Sequence, residues 1–168
     1  AHHVVAQEAV RVMRTQGLGG FLLFNASKAA FNPGKDFGPY AIPKAAVVAL
    51  TKQLALENGD QGIRANALNA DRIRTGLLPP DFVEQRAKAR GPDADAYFRS
   101  NLLGREVRAD DVAEAFLGLA LAQSTTGSVV TVDGGDLWLV TTEHYDLWIG
   151  SSWSETEAET FGLLLESA

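Results

Sequence analysis

The 168 residues carry 46% hydrophobic and 21% charged side chains and a formal charge of −6, an ordinary globular composition on the scale of one domain. The sequence has no cysteine, which excludes disulfides, thiolate metal sites and cysteine nucleophiles, and its three histidines (His2, His3, His144) offer little to a zinc ion, so no metal is expected. Scattered bases argue against nucleic acid, no apolar run nears the roughly 20 residues of a membrane helix, and no basic-then-apolar start marks export, so a soluble cytoplasmic protein is expected.

In chain order, residues 1–15 read as a helix with Val4, Val5, Ala9, Val12 and Met13 near one face, closed by Gly17, Gly19 and Gly20. Phe21 to Phe24 is a short continuous apolar run, as in a strand buried on both faces. Asn25 to Pro39 reads as a loop. An Ala-rich helix is expected from about Tyr40 to Glu57, with Pro43 in its first turn, where a missing N–H costs little. Ile63–Leu68 reads as a second strand. Asp81–Arg90 and Ala94–Leu102 read as shorter helices broken by Gly91-Pro92. Asp110 is placed to cap a helix to about Ala122, with Val112, Ala113, Phe116, Leu117, Ala120 and Leu121 on its apolar side. Ser128–Val132 is the third strand, stopped by Asp133-Gly134-Gly135.

Beyond it the composition changes. Residues 136–168 hold seven acids (Asp136, Glu143, Asp146, Glu155, Glu157, Glu159, Glu166), all three Trp (Trp138, Trp148, Trp153) and no Lys or Arg. All 15 bases therefore lie in residues 1–135, a near-neutral body. We divide the chain at this break into a domain of residues 1–135 and an acidic, Trp-containing tail of residues 136–168 with no assigned role, in which 154–166 could form a helix.

Helices alternating with apolar strands predict an α/β fold, a parallel sheet covered by helices. Such sheets carry ligands beyond the carboxyl ends of their strands, here Asn25-Ala26-Ser27, Leu68-Asn69-Ala70 and Val132-Asp133-Gly134. Tyr40 and Lys44 stand four apart at a helix start and share a face. An ammonium beside a phenol favours the phenolate, as acid–base work at neutral pH requires. Ser27, at a strand end, could hold a substrate oxygen beside Tyr40, and the three suggest proton transfer on an alcohol or carbonyl. Each feature also has a plain reading. Tyr-x-x-x-Lys pairs arise by chance in many proteins, and a lone serine here is a turn or cap residue. Arg72, Arg74 and Arg105 could meet an anionic substrate, with solvated surface arginines as the default.

The ordered set Asn25-Ala26-Ser27, Tyr40-Ala41-Ile42-Pro43-Lys44, Ile63-Arg64-Ala65-Asn66-Ala67-Leu68-Asn69, Ile73-Arg74-Thr75 and Val132-Asp133-Gly134-Gly135 resembles the short-chain dehydrogenase/reductase family over about residues 1–135. The resemblance implies a Rossmann-like fold and an NAD(P)-dependent oxidoreductase acting on a small alcohol or carbonyl. It implies Tyr40 as catalytic acid/base, Ser27 orienting the substrate oxygen, and Lys44 holding the nicotinamide ribose and favouring the Tyr40 phenolate. Ile73 and Thr75 match positions that contact the nicotinamide carboxamide. The stretches Leu23–Gly34 and Asn69–Ile73 resemble the dehydrogenase part of bifunctional aldolase/short-chain dehydrogenases, associated with sugar or lactaldehyde oxidation, which favours NAD over NADP. The family's matching helices dimerise, so a homo-oligomer is expected, with burial inside the monomer as the competing reading.

Departures follow. Ala70-Asp71 stand where the family usually has Pro-Gly, which brings a negative charge close to the cofactor. Gly17-Leu18-Gly19-Gly20 ends a helix and precedes a strand, the wrong context for a pyrophosphate cradle. No acid follows a second strand to read an adenine ribose, and the family's catalytic Asn would fall just before Ala1. The expectation is therefore the carboxyl-terminal half of such a domain, without the dinucleotide-binding half. The alternative is an inactive fragment acting only through protein–protein association.

Overall fold

The computed structural model describes residues 1–76, 79–90 and 93–137; the expected acidic helix at 154–166 and nearly all of the tail lie outside them. Among the described residues, five α-helices and three strands follow in order: α1 (His2–Gln16), β1 (Gly20–Asn25), a 3-10 turn (Lys28–Ala30), α2 (Gly38–Asn58), a second 3-10 turn (Gly59–Gln61), β2 (Ile63–Ala70), α3 (Pro80–Arg90), α4 (Ala94–Arg99), α5 (Ala109–Leu121) and β3 (Val129–Val132). The strands form one parallel sheet in the order β1-β2-β3. Gly20 to Asn25 pair with Ile63 to Leu68, and Ala67 to Ala70 with Val129 to Val132. The expected α/β class, with helices against a parallel sheet, is what the chain forms. No helix among the described residues is long and apolar enough to cross a membrane.

β2 is the centre. Ala65, Ala67, Leu68, Asn66 and Asn69 are fully buried. Small side chains on β2 let α2 lie close, and Val47, Leu54 and Ala55 of α2 join Ile63, Ala65, Ala67, Phe24, Ala6 and Val10 in one core. Two buried asparagines interrupt this apolar strand, and a buried amide needs partners. Asn66 has them: its Nδ2 donates to the Thr125 carbonyl at 2.8 Å and its Oδ1 accepts from Ser128 N at 3.0 Å. The side chain thus ties the approach to β3 onto β2. Arg64 does similar work at the end of α5, donating to the carbonyls of Leu119, Ala120 and Ala122 at 2.8–3.0 Å. It satisfies carbonyls that a helix end leaves open.

Several local expectations are corrected. On α1 the buried residues are Ala6 and Val10, while Val4, Val5 and Val12 are exposed. α2 starts at Gly38, with Pro39 at its start, so Pro43 falls in the second turn. α4 is shorter than expected and ends at Arg99. At α5 the cap interaction comes from Asp111, whose carboxylate accepts from Arg108 N at 2.7 Å; Asp110 lies in the first turn. Its buried residue is Leu119, and Leu117 and Leu121 face solvent.

Candidate active site

All three strands release their chain at one end of the sheet, and the side chains of interest gather there. The chain leaves β1 through Ala26 and turns at Ser27, whose Oγ accepts from Ala29 N at 3.3 Å and caps the short 3-10 turn. Ser27 is buried. The plain reading of Ser27 as a cap therefore holds as local structure, at the position where a strand end meets the ligand side of the sheet.

α2 packs against this turn and against β2. It carries Tyr40 and Lys44 one turn apart. The Lys44 Nζ donates to the Asn25 carbonyl at 2.8 Å, the last residue of β1, and lies 5.7 Å from the centre of the Tyr40 ring. The Tyr40 ring rests against Phe37 at 5.2 Å between centroids, and the residue is 45% exposed. Of the expected set, Tyr40 and Lys44 are thus brought together, and Lys44 is fixed two residues from Ser27. Ile73 is half-buried and Thr75 exposed, both in the irregular segment that follows β2.

A group of charges lies at the same end. Lys28, which follows Ser27, is buried, and its ammonium donates to Asp136 Oδ2. The Arg72 guanidinium donates to Asp136 Oδ1, to Ser100 Oγ and O, and to the Tyr97 carbonyl. Asp71 Oδ2 lies 3.0 Å from Arg72 Nε and 3.8 Å from Lys28 Nζ. Two cations and two carboxylates sum to zero, which is what makes their burial tolerable. Burial raises the Asp71 carboxyl above its ordinary value, opposed by Lys28 and Arg72 and reinforced by Asp136.

The turn after β3 is built to deliver Asp136. The Asp133 carboxylate accepts from Gly135 N at 2.8 Å and Leu137 N at 2.7 Å. Gly134 sits at φ +68°, and a Cβ there would lie 2.5 Å from Asn101 Cγ, so only glycine fits the approach of this turn to the end of α4. Asp136, on the tail's side of the composition break, packs into the body.

Sequence reasoning missed Lys28 and Asp136, which are 108 positions apart and carry no local signal. The arginines considered for an anionic substrate are otherwise engaged. Arg72 is buried in the cluster. Arg74 pairs with Asp95 at 2.7 Å and Glu106 at 2.9 Å, and its guanidinium lies 4.3 Å from the Phe98 ring centre. Arg105 lies 3.5 Å from Asp111. Beside Arg74 and Thr75, a cleft of about 500 Å³ opens against Val83, Ala87 and Phe98 of α3 and α4.

With this geometry in view, the likeness to known proteins is decisive. A family model described as enoyl-(acyl carrier protein) reductase matches residues 1–136. The chain belongs to the short-chain dehydrogenase/reductase family. An uncharacterized oxidoreductase of Bacillus subtilis, YuxG, is 34% identical over 142 residues, covering 80% of this chain and 21% of that protein. D-erythrulose reductase of Gallus gallus is 32% identical over 135 residues, 79% of this chain and 52% of that one. The structure of L-sorbose reductase from Gluconobacter frateurii, complexed with NADPH and L-sorbose, superposes with a TM-score of 0.66 at 31% identity, over 79% of this chain and 52% of that one. This short-chain dehydrogenase/reductase chain thus spans about half, or less, of the length of these relatives. The matched part of the family model ends at Asp136, the residue that closes the charge cluster.

Proposed function

We propose that this chain carries the substrate side of an NAD(P)-dependent oxidoreductase that interconverts an alcohol and a carbonyl. The observation that carries the proposal is the Lys44 ammonium held on the Asn25 carbonyl at 2.8 Å, one helical turn from an exposed Tyr40 and two residues from the Ser27 turn. The residues at this end suit the ribose–nicotinamide portion of a dinucleotide. Lys44 spends one N–H on Asn25 and has others to offer ribose hydroxyls, and Ile73 and Thr75 stand where the family contacts the carboxamide. When bound, the nicotinamide supplies the hydride donor or acceptor. The protein's part is proton management and orientation. Ser27 Oγ holds the substrate oxygen, and Tyr40 Oη takes its proton in oxidation or returns it in reduction. Lys44 positions the ribose and places positive charge beside the phenol. The subfamily resemblance favours NAD, and a sugar or small hydroxyaldehyde as substrate; relatives named for D-erythrulose and L-sorbose reduction agree with a hydroxylated substrate. Exposed Val4, Val5, Ile42 and Leu56 on α1 and α2 support self-association through these helices.

An NADH fluorescence titration of the chain, followed by turnover of the Tyr40→Phe variant, tests the reading. The expected result is saturable binding in both proteins and a turnover loss on the order of 10²–10⁴-fold in the variant. Absence of saturable binding, or normal turnover without the phenol, overturns it.

A further inference from the structure

The turn after β3 presents Asp136 in a fixed pose. The Asp133 carboxylate accepts from Gly135 N and Leu137 N, the residues on either side of Asp136. The Gly134 carbonyl accepts from Leu103 N at 3.1 Å, which pins the turn to the chain beyond α4. The Asp136 side chain is 6% exposed, and each of its oxygens meets one cation. Oδ2 accepts from Lys28 Nζ, and Oδ1 from the Arg72 guanidinium.

Those two cations belong to different parts of the site. Lys28 follows Ser27 directly and opens the 3-10 turn that Ser27 Oγ caps. Arg72 directly precedes Ile73, within residues 71–75, which belong to no helix or strand. Such a segment is placed by its side-chain ties rather than by a ladder or a helix. Arg72 supplies them, donating to the Tyr97 carbonyl at 3.3 Å and the Ser100 carbonyl at 2.8 Å as well as to Asp136. One carboxylate therefore links the turn read as holding the substrate oxygen to the segment read as holding the nicotinamide. Two buried cations repel each other, and the anion between them lets both approach. Asp71 also comes within 3.8 Å of Lys28, beyond hydrogen-bond range, so the link through Asp136 is the stiffer one.

We propose that Asp136 is a positioning residue: by bridging Lys28 and Arg72 it fixes the Ser27 turn relative to the Ile73–Thr75 segment, and so the substrate oxygen relative to the nicotinamide. This rests on the roles read above for Ser27, Ile73 and Thr75. Misplacing reacting groups by about 1 Å costs about 10²-fold in rate, so the stiffness of this bridge has a catalytic consequence. A role in folding alone makes the loss of Asp136 equivalent to any other loss of stability of the same size.

The test compares Asp136→Asn with Arg64→Met, which destabilises the chain from the opposite end of β2. Backbone amide order parameters, from NMR relaxation of the full chain, read the free protein. Wild type is expected at about 0.85 over Ser27–Ala30 and Ile73–Thr75. Asp136→Asn is expected to lower both stretches together, toward about 0.6, and Arg64→Met to lower neither. An NADH fluorescence titration reads the site. The dissociation constant is expected to rise about tenfold in Asp136→Asn, to stay at the wild-type value in Arg64→Met, and to recover in part in Asp136→Glu, which restores both acceptor oxygens. If Asp136→Asn does not fold by circular dichroism, Lys28→Met replaces it; it cuts the bridge at one end and is expected to lower the order of Ser27–Ala30. Order retained in either stretch of Asp136→Asn, retained at Ser27–Ala30 in Lys28→Met, or lost equally in Arg64→Met overturns the proposal. So does an NADH affinity that Asp136→Asn leaves unchanged. Joint loss of order in a protein whose wild type binds no NADH would remove the assigned cofactor and leave the Asp136 bridge standing.

Discussion

Replacing Lys28 by methionine separates the charge of the buried cluster from its packing. Methionine keeps an unbranched apolar stem and removes the ammonium. The side chains of Lys28 and Asp136 are only 9% and 6% exposed, so solvent gives little compensation. The cluster's charge goes from zero to minus one, and Asp136 Oδ2 loses its partner while Arg72 keeps Oδ1. Breaking a buried pair by removing one member costs about 3–5 kcal/mol. Because Arg72 still neutralises part of Asp136, the lower end, about 3 kcal/mol, is expected. For a chain of this size that is a fall in Tm of roughly 6–12 °C. Far-UV circular dichroism melts and urea unfolding read it, with the midpoint moving at constant slope if only the folded state is affected. The double variant Lys28→Met/Asp136→Leu removes both charges, leaves Arg72 with Asp71, and is expected to recover most of the loss. A single variant within about 1 kcal/mol of wild type, or a double variant less stable than the single, refutes the reasoning.

Asp71 gives a pH-dependent prediction. Burial raises its carboxyl above 3.8, so the folded protein binds that proton more tightly than the unfolded chain. This group therefore adds stability as pH falls through its raised value toward 3.8, and the gain is absent above that value. Asp71→Asn removes this slope; urea titrations across the acidic range should show the stability difference between wild type and variant changing with pH, and a constant difference counts against it. Arg64→Met strips three donors from the carbonyls of Leu119, Ala120 and Ala122, and is expected to cost about 1.5–3 kcal/mol and speed amide exchange at the end of α5. Arg64→Lys should restore only part, since an ammonium lacks the planar fork; full recovery would show that charge alone is what the helix end needs.

What the sequence makes legible is what local pattern controls. The four-residue apolar run bounded by Gly and Asn marks a strand, and Phe21–Phe24 became the middle of β1, but it is not buried on both faces: Phe24 is buried, Leu22 and Leu23 are half-buried and Phe21 is exposed. Tyr40 and Lys44 were readable as a pair because helical spacing alone puts them on one face. The orientation of a helix against the sheet is a different matter. On α1 the bulky Val4, Val5 and Val12 look like the core face, yet the small Ala6 and the single Val10 are what the core admits. On α5, Asp110 and Asp111 are equivalent as letters, and only the turn at Arg108 selects Asp111 as acceptor. Lys28 was the most opaque. Its partner arrives after two crossovers, once β3 pairs in parallel beside β2 and the glycine turn brings Asp136 back.

Position 72 shows how narrow a tolerance such an assembly leaves. Its backbone lies at φ +49°, in the left-handed region that glycine or asparagine enters most readily. Its side chain bonds Asp136, Ser100 and the Tyr97 carbonyl, contacts Asp71, and lies 5.5 Å from the Tyr97 ring centre, which suits arginine. The two requirements point to different amino acids. Glycine would relax the turn and leave Lys28 to face both Asp71 and Asp136; lysine would keep the charge, retain the strained turn and give up the fork. A replacement at 72 therefore shifts the burden of both acids onto Lys28, and its cost depends on which residues stand at 71 and 136.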